Sequence, residues 1–256
     1  MRQFNTSLAL SGLFLFASVL TSQSPAPSIS PLHTKSPLAA SPKSSFLADS
    51  PLDVSLLVQQ PPANNSETTQ QELKQLHTIE QSRSSQDVAA AQADDSEEDI
   101  FVYKNIFGSD FTAENLPVLA SLSADVHREE GIASAPLKAQ FSRPRPYQID
   151  RTLRPVCKLT QAANSYPSGH TISGYLLGYT MAYIVPAKRD EILARTDEYA
   201  FHRLVCGVHY SSDLVAGHTI ASAMFGVMMT NPMFRNRVEA ARQELRAKLP
   251  TALSQR

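Results

Sequence analysis

The amino-acid sequence predicts an all-α fold, a single compact helical domain that follows a disordered N-terminal segment. Downstream of Asn65, apolar residues recur at helical spacing, and no segment sustains the period of two that a half-buried strand requires. The 256-residue chain contains no Trp, 7% aromatic residues and 9 Gly, a composition that disfavours a many-stranded β protein. Its 2 cysteines exclude a disulfide-dense miniprotein and a four-cysteine zinc site.

The charge balance excludes one class of partner. Lys and Arg number 23 against 24 Asp and Glu, which gives a formal net charge of −1. A chain without a basic field lacks the electrostatic footprint of a nucleic-acid-binding protein. We therefore expect no nucleic-acid partner.

The first 23 residues are typical of an export signal. Arg2 precedes a mostly apolar run over residues 7–20, and small polar residues follow it. This run is shorter than the ~20 residues of a membrane-spanning helix, which favours a cleaved signal peptide at residues 1–23 over a permanent anchor. We therefore expect a periplasmic or secreted protein with no integral membrane domain.

Residues 24–66 are rich in Pro and Ser and predict a disordered linker, because such a composition buries too little apolar surface to offset the entropy of ordering. The alternative is that the Leu-rich end of this segment, residues 52–58, packs on the domain that follows. We place that domain at residues 67–250 and a short C-terminal tail at residues 251–256.

The first helices are predicted in chain order from the apolar pattern. Residues 69–93 are polar with a narrow apolar stripe, which indicates one or two surface helices. The acidic run at residues 94–99 is interpreted as a solvated helix end, with a cation site as the alternative. Residues 172–185 and 214–229 are apolar but too short to cross a bilayer, so we expect buried core helices.

Two further helices are marked by a proline near their first position. After Pro186, spacings of three and four residues place Arg203 on a buried face. A guanidinium there needs an anion, because an unpaired buried charge is costly. The last helix is predicted after Asn231 as its cap, with a buried stripe of Phe234, Val238, Ala241, Leu245 and Leu249.

Three polar clusters carry the candidate chemistry. The first contains Lys138 and Arg145, and we expect the prolines of residues 138–146 to keep it extended and stiff. The second, residues 165–171, comes directly before an apolar helix. There, backbone N–H groups together with the Ser168 hydroxyl suit an anion.

The third cluster contains Arg203, His209 and Asp213. On a helix, His209 and Asp213 would share a face, since they lie four residues apart. The carboxylate would then accept one ring N–H and leave the other ring nitrogen free as a nucleophile.

Together the three clusters resemble one protein family. The patterns K-x6-R-P, P-S-G-H and R-x5-H-x3-D, in this order, are similar to those of the type 2 phosphatidic acid phosphatase (PAP2) superfamily and, in particular, of the bacterial class A non-specific acid phosphatases. They are formed here by Lys138, Arg145 and Pro146, by residues 167–170, and by Arg203, His209 and Asp213. The resemblance covers about residues 61–249. Two positions depart from the family pattern: His202 stands in place of the common Ser before Arg203, and Asn164 in place of the common Gly before Ser165.

The resemblance implies a PAP2/haloperoxidase-like helical bundle that hydrolyses phosphate monoesters. It implies that His209 attacks phosphorus to form a phosphohistidine, that Asp213 orients His209, and that His170 is the general acid and base. The phosphate-binding residues that the resemblance implies are Lys138, Arg145, Ser168, Gly169 and Arg203. Because three cationic side chains can supply the charge that metal ions supply elsewhere, we expect turnover without a metal or other cofactor. The implied partners are a small phosphomonoester substrate and inorganic phosphate as the product.

Other functions stay open at this point. A vanadium haloperoxidase resembles the same constellation, with vanadate where phosphate would lie and His209 as its ligand. An exported phosphatase of lipid phosphates or diphosphates is another alternative, and an exported phosphate- or polyanion-binding protein without turnover is a third. The sequence does not fix the oligomeric state, and a homo-oligomer is among the options.

The remaining cysteines and histidines are given structural roles. Cys157 and Cys206 are expected to form a disulfide, because an export signal implies an oxidising compartment, and two free thiols are the alternative. His127 and His218 match no motif position and are interpreted as surface or packed histidines. His202 is expected to act at most through other site residues.

Overall fold

The computed structural model describes Phe46, Leu47, Ser50 and residues 52–251, and these residues form helices without a β-strand. The helices are α1 (Glu67–Ser82), α2 (Ser85–Ser96), α3 (Lys104–Phe107), α4 (Pro117–Phe141), α5 (Pro146–Ile149), α6 (Gly169–Ile184), α7 (Arg189–Val205), α8 (Ser211–Met228) and α9 (Pro232–Lys248). The all-α prediction is confirmed. The predicted signal peptide at residues 1–23 and residues 252–256 of the predicted tail lie outside the described residues.

Helix α6 lies among α4, α7 and α8 and forms the middle of the core. Its side chains Ile172, Leu176 and Met181 are fully buried, so removal of apolar surface from water stabilises this packing. The two predicted core helices correspond to α6 and α8. All the helices above belong to one unit of the chain. Within the part of the chain that the structure describes, we find no helix long and apolar enough to cross a lipid bilayer.

Helices α7 and α9 follow the predicted patterns. Arg203 lies on the buried face of α7, as the spacing predicts. The Asn231 side chain caps α9 by accepting from the backbone N–H groups of Met233 and Phe234, at 2.8 and 3.4 Å. The predicted stripe on the C-terminal helix is buried at Phe234, Val238, Ala241, Leu245 and Leu249.

The described part of residues 46–62 packs on the helices, which differs from the extended linker predicted for residues 24–66. Phe46 is buried, and its ring lies 5.2 Å from that of Phe234 in an edge-to-face arrangement. Apolar side chains of the predicted Leu-rich end also pack on the main core, and residues Val54–Leu57 form a 3₁₀ turn. The alternative of a packed Leu-rich end therefore describes this stretch, because its apolar side chains bury enough surface to order it.

Helix α4 extends further than the sequence predicts. It continues through Pro136 to Phe141, so Lys138 lies in its last turn rather than in an extended stretch. The proline φ is compatible with a helix, and the buried side chains of Ala133 and Leu137 hold this turn against the core. Ser142, at a left-handed φ of 44°, ends the helix, and the extended, proline-rich stretch begins only after it.

Candidate active site

His209 and Asp213 lie at the centre of the candidate site, although the histidine is not helical. Helix α8 begins at Ser211, and His209 belongs to the turn before it. Gly207, at a left-handed φ of 72°, ends the preceding helix and makes this turn. The expectation that His209 and Asp213 share a helix face is wrong, because His209 lies outside the helix. The expected contact between the two side chains is nevertheless present, since His209 Nδ1 lies 3.1 Å from Asp213 Oδ2.

Both carboxylate oxygens of Asp213 accept hydrogen bonds. Oδ2 accepts from Ser165 Oγ at 2.6 Å and from the Tyr210 N–H at 2.9 Å. Oδ1 accepts from Arg143 Nη1 at 2.7 Å. These bonds fix the orientation of a fully buried carboxylate and, through it, the ring of His209. Burial raises the pKa of Asp213, while the Arg143 charge opposes that rise.

Arg145 contacts the other ring nitrogen of His209. Its Nη1 lies 3.1 Å from His209 Nε2 and donates to the Val208 carbonyl at 2.9 Å. Its Nε donates to Asn164 Oδ1 at 3.0 Å, so one departure from the family pattern anchors a predicted phosphate-binding residue. Because a guanidinium only donates, His209 Nε2 accepts, and the ring proton lies on Nδ1 toward Asp213. This tautomer places the lone pair of the imidazole on Nε2.

Positive charge converges on His209. The residue is 2% exposed. Burial is the largest cause that holds its pKa well below 6.5, and Arg145, Arg203 and Lys138 lower that pKa further. The three predicted phosphate-binding cations therefore act on one neutral imidazole, although they come from separate segments of the chain.

The N-terminus of α6 lies beside Lys138. Ser168 caps this helix, since its Oγ accepts from the Thr171 N–H at 3.3 Å. A Cβ atom at Gly169 would lie 2.7 Å from Lys138 Nζ and 2.3 Å from Glu130 Oε1. Lys138 Nζ is 3.6 Å from the same Glu130 oxygen. Glycine at position 169 thus allows the lysine to approach the helix N-terminus, and Glu130 is a neighbour that sequence reasoning missed.

Arg203 enters the site from α7 and is held by an acidic residue of α2. Its Nη1 donates to Asp95 Oδ1 at 2.7 Å, and Asp95 also accepts from the Lys158 N–H at 2.9 Å. Arg203 Nε is buried and has no hydrogen-bond partner among the described residues. The interpretation of residues 94–99 as solvated is wrong for Asp94 and Asp95, because their carboxylates pair with charged side chains of α7.

His170 is the second residue of α6, and its ring lies next to Glu98. Its Nε2 is 3.4 Å from Glu98 Oε1 and has no hydrogen-bond partner among the described residues. Burial is the main cause that holds the His170 pKa well below 6.5, and Arg203 and His209 lower it further. A bound phosphate dianion would favour the protonated ring, which is the form that a general acid needs.

Arg143 is a site residue to which the sequence assigned no role. It is 3% exposed, donates from Nη1 to Asp213 and donates from Nη2 to Glu72 Oε2 at 3.0 Å. Its guanidinium lies over the Tyr210 ring, 3.9 Å from the centroid. Glu72 of α1 also accepts from the Ser212 N–H at 2.6 Å. Residues 143–146 repeat the pair Arg-Pro, and this repeat was a signal for Arg143, whereas no sequence pattern pointed to Glu72.

The predicted disulfide between Cys157 and Cys206 is present, with a Cα–Cα distance of 5.2 Å. It links the loop before α6 to the end of α7. With Asp95, the two sulfurs form a group of donors close enough to share an ion among the described residues. Because both sulfurs belong to the disulfide, this group does not offer the thiolates that a transition metal requires.

Three histidines outside the motifs, His127, His202 and His218, take packing roles. His202 is buried, and its Nδ1 lies 2.6 Å from Asp94 Oδ2, a contact that joins α7 to α2. His127 Nδ1 lies 2.8 Å from Ser173 Oγ. The exposed ring of His218 stacks on an aromatic ring of α6 at a centroid distance of 4.1 Å. None of these three histidines has a described contact with His209.

Comparison with known proteins relates this site to one family. The sequence model of the PAP2 superfamily matches residues 124–237, which include every predicted site residue. A non-specific acid phosphatase of Salmonella typhimurium is 31% identical over 165 residues, which is 62% of this chain and 66% of that protein. A non-specific acid phosphatase of Providencia stuartii is 29% identical over 147 residues, 56% of this chain and 59% of that protein. An acid phosphatase of Zymomonas mobilis is 33% identical over 143 residues, 54% of this chain and 53% of that protein. The chain thus spans about half to two thirds of the length of these relatives.

Proposed function

Because the chain belongs to the PAP2 superfamily, we propose that it is a metal-independent acid phosphatase that hydrolyses small phosphate monoesters through a phosphohistidine. The names of the similar proteins, acid phosphatase and non-specific acid phosphatase, support this reaction class. The observation that carries the proposal is the contact of Arg145 Nη1 with His209 Nε2 at 3.1 Å, in a site where Lys138 and Arg203 add positive charge.

In the first step, His209 Nε2 attacks phosphorus and the bond from phosphorus to the ester oxygen breaks. The transferring phosphoryl group spreads negative charge over three oxygens, which Lys138, Arg145 and Arg203 stabilise. Arg145 contacts Nε2 in the free site and turns its donors to phosphate when substrate binds. Asp213 stabilises the positive charge that develops on the ring.

His170 is the proton donor in the first step and the proton acceptor in the second. In the first step its Nε2 gives a proton to the ester oxygen, so the alcohol leaves in neutral form. In the second step the neutral ring takes a proton from water, the water oxygen attacks phosphorus, and the bond between phosphorus and His209 Nε2 breaks. Inorganic phosphate leaves and both imidazoles return to their starting state. The buried His170 Nε2, which has no hydrogen-bond partner among the described residues, supports this role.

Metal independence rests on the charge that the chain itself supplies. Three cationic side chains around one imidazole provide the stabilisation that divalent ions provide in other phosphatases. Ser168 Oγ and the Gly169 N–H at the N-terminus of α6 add neutral donors for the same oxygens.

The test is phosphate release from an aryl phosphate and several alkyl phosphates, with a chelator present, by wild type and by His209→Ala. Wild type is expected to release phosphate from each ester, and the variant to lose at least about 1,000-fold in kcat. His218→Ala is the matched control, because this exposed histidine of α8 lies outside the site. Rapid quenching into alkaline detergent, in which the bond between phosphorus and a histidine nitrogen is stable, should trap phosphate label on wild type and not on His209→Ala.

The same panel separates the alternative functions. Loss of activity in the chelator, or label on His209→Ala, would contradict the mechanism. Bromide oxidation with vanadate and peroxide, without phosphate release, would identify a haloperoxidase instead. Phosphate binding without turnover by wild type would identify a binding protein, and turnover restricted to lipid phosphates would identify a lipid phosphatase.

We also propose that the protein works outside the cytoplasm, in the periplasm or after secretion. The signal-like sequence of residues 1–23 and the disulfide between Cys157 and Cys206 support this location. Cell fractionation should find the activity outside the cytoplasm and the N-terminus of the mature protein near residues 21–26.

A further inference from the structure

The proton donor His170 has a carboxylate beside the nitrogen that must face the leaving alcohol. Glu98 Oε1 lies 3.4 Å from His170 Nε2. A general acid acts at hydrogen-bond distance, so the ester oxygen must come within about 3 Å of that nitrogen. The first carbons of the leaving alcohol and their substituents must therefore lie within a few ångströms of the Glu98 carboxylate.

The backbone holds Glu98 in this position from both sides. The Glu97 carbonyl accepts from Tyr199 Oη at 2.9 Å, and the Asp99 side chain caps the next turn by accepting from the Phe101 N–H at 2.8 Å. The Ile100 N–H donates to Ser123 Oγ at 2.9 Å. The Glu98 side chain is 38% exposed, so it lies at the mouth of the site, where a leaving group can reach it.

The titratable and charged groups around Glu98 come from three packed helices. Lys138, His127 and Glu130 belong to α4, His170 to α6 and Arg203 to α7. Burial is the largest cause that raises the pKa of Glu98, and Glu130 adds to the rise while the cations oppose it. Glu130 is itself paired with Lys138 and accepts from Ser134 Oγ at 2.6 Å. Glu98, in contrast, faces an imidazole that burial keeps neutral in the free site.

We infer that Glu98 determines leaving-group specificity: it accepts a hydrogen bond from an alcohol that carries a hydroxyl or ammonium group beside the ester, and it excludes esters whose alcohol carries a second anion. This inference rests on the proposed phosphatase function and names its substrate class. The phosphate group, which is common to all the esters, is bound by Lys138, Arg145 and Arg203. Glu98 contacts the leaving alcohol, which differs from one ester to another.

Three phosphate esters of matched size test the inference. 2-Hydroxyethyl phosphate, phosphoethanolamine and phosphoglycolate differ by a hydroxyl, an ammonium and a carboxylate at one position. Wild type is expected to favour the first two over phosphoglycolate by about tenfold or more in kcat/KM, since charges about 5 Å apart near a protein surface interact at that level. Glu98→Gln should remove most of this discrimination, and Glu98→Lys should reverse the order of the ammonium and carboxylate esters.

The controls separate a specificity role from other roles. Glu97→Gln changes an exposed neighbour and should keep the wild-type order. An equal fall on all three esters in Glu98→Gln would mean that Glu98 acts on His170 alone, and it would overturn the inference. Equal ratios in an active wild type and Glu98→Gln would overturn it as well. If wild type hydrolyses neither these esters nor an aryl phosphate, the proposed function fails and the inference fails with it. Thermal melting of each variant checks that folding is unchanged, and Glu98→Ala replaces any variant that does not fold.

Discussion

Arg143 Nη1 donates to Asp213 Oδ1 at 2.7 Å, and both side chains are buried. Asp213 in turn contacts His209, so the guanidinium lies one residue away from the proposed nucleophile. The other side of Arg143 is held by Glu72 of α1. The surface helix α1 is thereby connected to the reacting atoms through a chain of charged side chains.

Replacing Arg143 should damage both folding and turnover. Arg143→Met leaves Asp213 and Glu72 buried without their shared cation, and removal of one partner of a buried ion pair costs about 3–5 kcal/mol. Without that cation the pKa of Asp213 rises further, so His209 loses its ionised partner at low pH. We expect the acidic limb of the kcat/KM profile to move to higher pH. Denaturant unfolding and a pH profile measure the two effects.

Arg143→Lys is the control for this prediction. Lysine keeps the positive charge but lacks the planar fork that reaches Asp213 and Glu72 together. The acidic limb should therefore shift less in Arg143→Lys than in Arg143→Met. Identical pH profiles in wild type and Arg143→Met would show that the arginine does not support Asp213.

A methyl group at Gly169 should weaken phosphate binding. The Cβ of Gly169→Ala would lie 2.3 Å from Glu130 Oε1 and 2.7 Å from Lys138 Nζ, so both side chains must move. Loss of one donor to the transferring group costs on the order of 100-fold in rate, and we expect kcat/KM to fall by about that factor. Gly131→Ala, also in this region but with no atom within 4 Å of its Cβ, should keep wild-type kinetics. Equal activity in Gly169→Ala and wild type would contradict the prediction and would show that the Lys138 and Glu130 side chains can shift away from the methyl group without loss of function.

The sequence predicted the helices where one apolar face dominates, as in α7 and α9, because burial of that face fixes the helical period. It also singled out the candidate residues Lys138, Arg145, Arg203, His170 and His209, since their spacing within each cluster is local, but it assigned no role to Arg143. Apart from the disulfide, contacts between distant segments could not be predicted. Arg203 pairs with Asp95 across 108 positions, and Arg143 pairs with Glu72 across 71. An acidic run has the same sequence pattern whether its carboxylates face solvent or a buried arginine.

Reduction of the disulfide should lower stability and activity together. The bond between Cys157 and Cys206 closes a loop of 49 positions, for which chain entropy gives roughly 4 kcal/mol. The loop ends next to the turn that carries His209, and the Val156 N–H donates to the Cys206 carbonyl at 3.1 Å. We expect a lower melting temperature and a lower kcat in reductant. A double Cys157→Ser and Cys206→Ser variant should show the lower melting temperature and the lower kcat without reductant, and reductant should change neither value further. An unchanged melting temperature in reduced wild type would contradict the prediction.

Stability should fall as the pH decreases below about 6.5, because two buried imidazoles stay neutral in the folded chain. Burial and neighbouring cations hold the pKa values of His170 and His209 well below 6.5, whereas an unfolded histidine titrates near that value. Below pH 6.5 the unfolded state therefore binds more protons, so the free energy of unfolding decreases by up to about 1.4 kcal/mol per pH unit for each ring.

The pH at which this slope ends is set by groups with the opposite shift. Asp213 and Glu98 have raised pKa values, so the folded state takes up protons on them and the slope lessens as the pH approaches those values. Denaturant unfolding of wild type and His170→Asn at several pH values between 7 and 5 measures the contribution of the His170 ring. The unfolding free energy of the variant should depend less on pH, because the variant lacks the one proton that this ring takes up on unfolding. His218→Asn, at an exposed position of α8, is the matched control for the substitution. Because phosphate favours the protonated rings, saturating phosphate should reduce the pH dependence of the unfolding free energy more in wild type than in His170→Asn. Equal pH slopes of the unfolding free energy in wild type and His170→Asn without phosphate would show that the folded His170 is not held neutral.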